Sequence, residues 1–85
     1  MDIEEVTEQI SNILDEARMC GLDVTAKIYI DNDTQIEAWY DNDYDCFCWS
    51  NGNVGYELLS EVVDEIVEYL FDHELEVEGI EEVKM

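Results

Sequence analysis

The sequence predicts an α+β domain: a helix, a three-stranded antiparallel sheet and a second helix, with both helices on one sheet face and a short C-terminal strand as an option. Three observations point there. Apolar residues recur at helical spacing near the start and again in the second half. Between these stretches they alternate with period two. The connections inside the alternating stretch are a few Asp and Asn residues, short enough to demand antiparallel neighbours. Residues 1–85 make a single domain with a small core and no space for a large active-site cavity.

The first helix is expected over 2–20. Ile3, Val6, Ile10, Ile13, Leu14 and Ala17 form one stripe, and Glu4, Glu5, Glu8, Asp15 and Glu16 lie mostly off it. Asp2 suits the N-cap, with Glu5 three residues on. Acids in the first turn complement the positive end of the helix dipole. Gly21 is a natural stop, and Arg18 sits in the last turn.

Val24, Ala26, Ile28 and Ile30 then share one face of a strand, with Thr25, Lys27 and Tyr29 on the other. Asp31-Asn32-Asp33-Thr34 reads as a turn. Ile36, Ala38 and Tyr40 form the inner face of a second strand, and Asp41-Asn42-Asp43 a second turn. A third strand is expected over 44–50. Its buried face is open to two readings, because Cys46 and Cys48 fall on one side and Phe47 and Trp49 on the other. The second helix, starting near Val54–Tyr56, has Leu59, Val62, Val63, Ile66, Val67 and Leu70 as its stripe. The tail 73–85 reads either as a short strand or as a frayed helix.

Charge is the dominant compositional fact. There are 24 acidic residues against 3 basic ones, for a formal net charge of -21. Two Trp, five Tyr, two Phe and many β-branched residues separate the chain from disordered acidic sequences, so it is expected to fold. Such a surface repels phosphate backbones and anionic lipid, which excludes direct nucleic-acid and membrane partners. The start Met-Asp-Ile-Glu-Glu is not that of a secretory leader, and no 18-residue apolar run occurs. A cytoplasmic protein is expected, with Cys20, Cys46 and Cys48 reduced, unmetallated and mainly structural.

Catalysis is not expected. His73 is the sole histidine and lies between Asp72 and Glu74, and no nucleophile has a base at readable spacing. No cofactor is expected, since a glycine-rich phosphate loop is missing. Asp41-Asn42-Asp43-Tyr44-Asp45 opens like a calcium loop. The loop needs glycine at its sixth position and glutamate at its twelfth, where this chain has Cys46 and Gly52.

The acids themselves remain. A solvated surface is the default for any single one. Together they are costly, because pairs such as Glu57/Glu61, Glu61/Glu65 and Asp64/Glu68 repel at i,i+4. Solubility needs a net charge of only about 2–8 in magnitude. Carboxylates on alternate strand residues repeat every ~6.7 Å, and those one helical turn apart every ~6 Å. Both repeats are comparable with neighbouring phosphates of a nucleic acid. The candidate partner-binding residues are therefore Asp31, Asp33, Asp41, Asp43 and Asp45 in the turns, and Glu57, Glu61, Glu65 and Glu68 along the second helix.

Small size, extreme acidity and the helix–three strands–helix order with Asp/Asn turns resemble the phage-encoded anti-CRISPR and anti-restriction DNA mimics. The order is similar to that of a type II-A anti-CRISPR inhibitor. The resemblance is one of architecture and composition rather than of motif. It implies an inhibitor whose acidic turns meet a basic nucleic-acid-binding protein, such as a Cas nuclease or CRISPR complex. The other reading is an acidic protein-interaction module, an antitoxin or adaptor that binds a basic partner.

Overall fold

A computed structural model describes residues 1–21, 23–30, 34–52 and 54–84. In chain order they form α1 (Ile3–Cys20), β1 (Val24–Ile30), β2 (Thr34–Asp41), β3 (Cys46–Trp49), α2 (Leu59–Asp72) and β4 (Val77–Lys84). The fold is the expected α+β arrangement, with the optional last strand present. That strand makes the sheet four-stranded, in the order β3-β2-β1-β4, and every neighbouring pair is antiparallel.

Local chemistry fixes both ends of α1. The Asp2 carboxylate accepts from the Glu5 N–H at 2.8 Å, and Gly21 closes the helix at φ 62. Only glycine adopts that left-handed conformation without a Cβ penalty. Val6, Ile10, Leu14 and Ala17 are buried. Ile3, the first member of the expected stripe, is instead largely exposed.

The strands follow their alternation. Val24, Ala26, Ile28 and Ile30 are buried, as are Ile36 and Ala38 beside them. In β3 the aromatic side wins: Phe47 and Trp49 are buried, while Cys46 and Cys48 are half-buried on the opposite face. Both faces were apolar enough to be candidates. The larger rings fill the space under the helices, and the small thiols suit the thinner cover on the other side.

Two expected boundaries are corrected. β3 begins at Cys46 rather than at Tyr44, because Tyr44 and Asp45 belong to the turn and Asp45 has a left-handed φ of 52. The second helix begins at Leu59, not near Val54–Tyr56. Tyr56 instead pairs with the outer edge of β3: Phe47 N–H donates to Tyr56 O at 2.7 Å, and Tyr56 N–H to Phe47 O at 2.8 Å. Those two bonds satisfy edge groups that a helix starting earlier would leave unpaired. The helix cap, Leu58, has no side-chain bond to offer.

β4 meets β1 with a bulge. Tyr29 pairs with Gly79 and Ile30 with Val77, leaving Glu78 as the extra residue. Without that irregularity Glu78 would stand opposite Ile30 and point a carboxylate under the helices. The bulge puts Val77 there, and Val77 is buried. Both helices lie on this face and meet each other across the core. Among the described residues, no helix is long and apolar enough to cross a membrane.

Candidate functional site

No charged side chain among the described residues is buried, and all described carboxylates except those of Asp15, Glu37 and Asp41 belong to exposed residues. The chain's three cations are each engaged internally. Arg18 bonds Asp15 at 2.8 Å, Lys27 lies 4.0 Å from Glu37, and Lys84 lies 3.9 Å from Glu82. These are exposed or half-exposed pairs of small energetic value. They offset only three of the 24 acids, so the outward field stays overwhelmingly negative.

The β2–β3 turn is held from both sides. The Asp43 N–H donates to Asp41 Oδ1 at 2.9 Å, a local turn bond that partly occupies the Asp41 carboxylate. The Tyr40 hydroxyl donates to Asp45 Oδ1 at 3.4 Å. Tyr40 in turn packs edge-on against Phe47, with ring centroids 4.9 Å apart. The Arg18 guanidinium lies 5.9 Å from the Phe47 centroid. Burial pushes the Tyr40 phenol above its ordinary 10.0, and the Asp45 charge and hydrogen bond push it the same way. Tyr44 stands at the tip with four-fifths of its surface exposed.

The sequence pattern puts Asp41 and Asp43 in the second turn and Asp45 at the start of the third strand. In the structure Asp41 ends β2, and Asp45 joins Asp43 in the turn. Glu61, Glu65 and Glu68 line the exposed back of α2, and Glu57 precedes the helix. Asp31 and Asp33 lie outside the described residues.

A second feature lies on the face away from the helices. Opposite residues of antiparallel strands share a face. Thr25, Lys27, Glu37, Trp39, Cys48 and Glu81 therefore look outward together, on the face opposite the buried row that packs with the helices. A cavity of about 280 Å³ opens near Trp39, lined also by Asp23, Val24, Thr25, Glu37 and Tyr40. Charge counting does not reveal it. The readable signal was that alternation puts Trp39 on the polar side of β2, opposite the run Ile36, Ala38, Tyr40. At the other edge of the face Tyr29 donates to Glu81 at 3.0 Å, and that bond to a carboxylate raises the Tyr29 phenol.

Cys46 and Cys48 hold their sulfurs 3.8 Å apart. Burial, the neighbouring Cys46 and the charge of Asp41 push the Cys48 thiol up to about 11. Gly55 closes over Cys46: a methyl there would overlap its Sγ and lie 2.9 Å from its Cβ. Cys20 is exposed at the end of α1. Among the described residues, no three His, Cys, Asp or Glu side chains converge as a metal-ion site.

Comparison with protein-family models, curated proteins and solved structures gives no match.

Proposed function

We propose that this chain is an acidic nucleic-acid mimic that occupies the DNA- or RNA-binding groove of a nuclease, in the manner of anti-CRISPR proteins. One observation carries the reading. All three cations are paired within the chain, while the described carboxylates lie at or near the surface. A fold that leaves its charge so unbalanced sacrifices stability to self-repulsion. The return is a surface that a phosphate-binding groove reads as its own ligand. Association would release counterions from both partners and be steered at long range.

The anchored turn supports the same reading. Asp45 is tied through Tyr40 to the core, and Asp41 is tied to the Asp43 backbone within the turn, so the turn needs little ordering on binding. Tyr44 at the tip offers an aromatic anchor beside the charges.

The test is a binding titration against purified Cas nucleases, with and without guide RNA and target DNA, from low to high salt. Mimicry requires an affinity that falls steeply with salt and competes with the DNA. A flat salt response, or a ternary complex with DNA still seated, overturns mimicry and favours an acidic adaptor or antitoxin.

A further inference from the structure

We propose that the cavity beside Trp39 is a receptor for a single arginine side chain of the partner. This deepens the function proposed above, on which it rests for its partner, by stating what that partner presents.

The size selects a side chain. Small-ligand pockets run to about 300–1,000 Å³, and this one, at about 280 Å³, falls just below that range. The lining selects a cation. Asp23 and Glu37 supply carboxylates, Trp39 and Tyr40 supply aromatic surface, and no basic residue lines the cavity. An anion would be repelled. A neutral apolar group would strip water from two carboxylates and return no bond. A cation meets the carboxylates and the ring quadrupoles together.

Guanidinium fits better than ammonium. It is planar, weakly hydrated and able to stack on an aromatic ring while its edge donors reach carboxylates. Glu37 is available for this. Its contact with Lys27 is 4.0 Å long between part-exposed side chains, a pair of little value. Position agrees as well. Trp39 and Tyr40 immediately precede Asp41, so the cavity lies at the end of β2 that carries the acidic turn. A basic groove that receives the turn brings its neighbouring side chains over the cavity.

The probe is N-acetyl-arginine amide, with N-acetyl-lysine amide and N-acetyl-leucine amide as comparisons, titrated into isotope-labelled protein at fixed ionic strength. The two indole N–H resonances report directly. Trp49 is buried under the helices and serves as the internal control. The proposal expects saturable shifts at Trp39, Thr25 and Glu37, tighter for arginine than for lysine, with leucine inert. Trp39→Leu should weaken arginine binding by about two- to fivefold, the range of an exposed cation–π contact. Glu37→Gln, which keeps shape and fold, should weaken it independently. Equal, non-saturating shifts spread over all acidic residues would overturn the proposal, and so would leucine binding as well as arginine. No nuclease enters this experiment. Arginine seated at Trp39, together with a failed competition against DNA, would overturn the mimicry alone.

Discussion

Tyr40 donates its hydroxyl to Asp45 Oδ1 at 3.4 Å, and through that one side chain a surface turn is coupled to the buried ring of Phe47. A strongly charged loop would otherwise spread under its own repulsion. Here the aspartates at its two ends are held, Asp41 by the Asp43 N–H and Asp45 by the phenol. The left-handed φ of Asp45 is part of the same closure, and Asp tolerates that conformation better than most residues.

The phenol gives this coupling a pH signature. Its folded value lies above 10.0, from burial first and then from Asp45. The protonated form is favoured by the fold. Its stabilising contribution is complete below 10.0 and is lost as pH rises through the folded value. Phenolate absorbance should therefore show Tyr40 ionising late, with stability falling over that alkaline window. Asp45→Asn should move the Tyr40 midpoint part of the way back. An unmoved midpoint would mean that burial alone accounts for the shift.

Turn acids should matter more for binding than helix acids. Asp41→Asn, Asp43→Asn and Asp45→Asn together preserve the turn, since an amide oxygen still accepts from the Asp43 backbone and from Tyr40. Glu61→Gln, Glu65→Gln and Glu68→Gln together neutralise the back of α2. Competition against nucleic acid should weaken far more in the turn set. Thermal unfolding at low salt should rise in the helix set, because relief of a like-charge pair such as Glu61/Glu65 returns a few tenths of a kcal/mol. The reverse ranking would move the interface to α2.

Gly55 should be intolerant of a side chain. Gly55→Ala forces a methyl into Cys46 Sγ, and overpacking of this kind costs about 1–3 kcal/mol. Cys46→Ala removes the obstructing sulfur but keeps the Cβ 2.9 Å away, so the double variant should recover only part of that loss in urea unfolding. A cycle with no coupling between the two changes would show that the loop simply moves aside.

Thiol reactivity should be ordered by position. Cys20 is exposed, whereas Cys48 is raised to about 11 and so is overwhelmingly protonated near neutral pH. Since the thiolate is the nucleophile, limited alkylation should modify Cys20 well before Cys48. Peptide mapping after a short exposure to iodoacetamide decides this. Early labelling of Cys48 would contradict the arrangement.

Much of the frame was readable because it obeys local rules. The run Val24, Ala26, Ile28, Ile30 alternates without error, and Gly21 ends α1 where a left-handed residue is required. What was not readable depends on partners far along the chain. The Glu78 bulge depends on β1 being its neighbour; Gly79 beside it is a local hint of a bulge but does not say which strand stands opposite. Tyr56 leaves the helix because Phe47 offers an open edge. The acids were legible as a charge but not as an arrangement. Alternation started the third strand at Tyr44 and so took in Asp45, where the chain in fact still turns. Trp39 stood on a polar face in plain sight, and its significance came only with Asp23 and Glu37 gathered around the same cavity.

The pairing of β4 with β1 has a consequence during translation. β1 sits early in the sequence and its partner strand is made only after α2, so one edge of β1 stays bare on the ribosome while the rest is synthesised. A bare edge next to a row of Val and Ile is a site where nascent copies could zip together. Two emerging chains that already carry the acids of α1 and the β2–β3 turn repel one another strongly. The charge proposed here to deceive a nuclease would also act before folding is complete, keeping neighbouring newborn chains apart until β4 arrives.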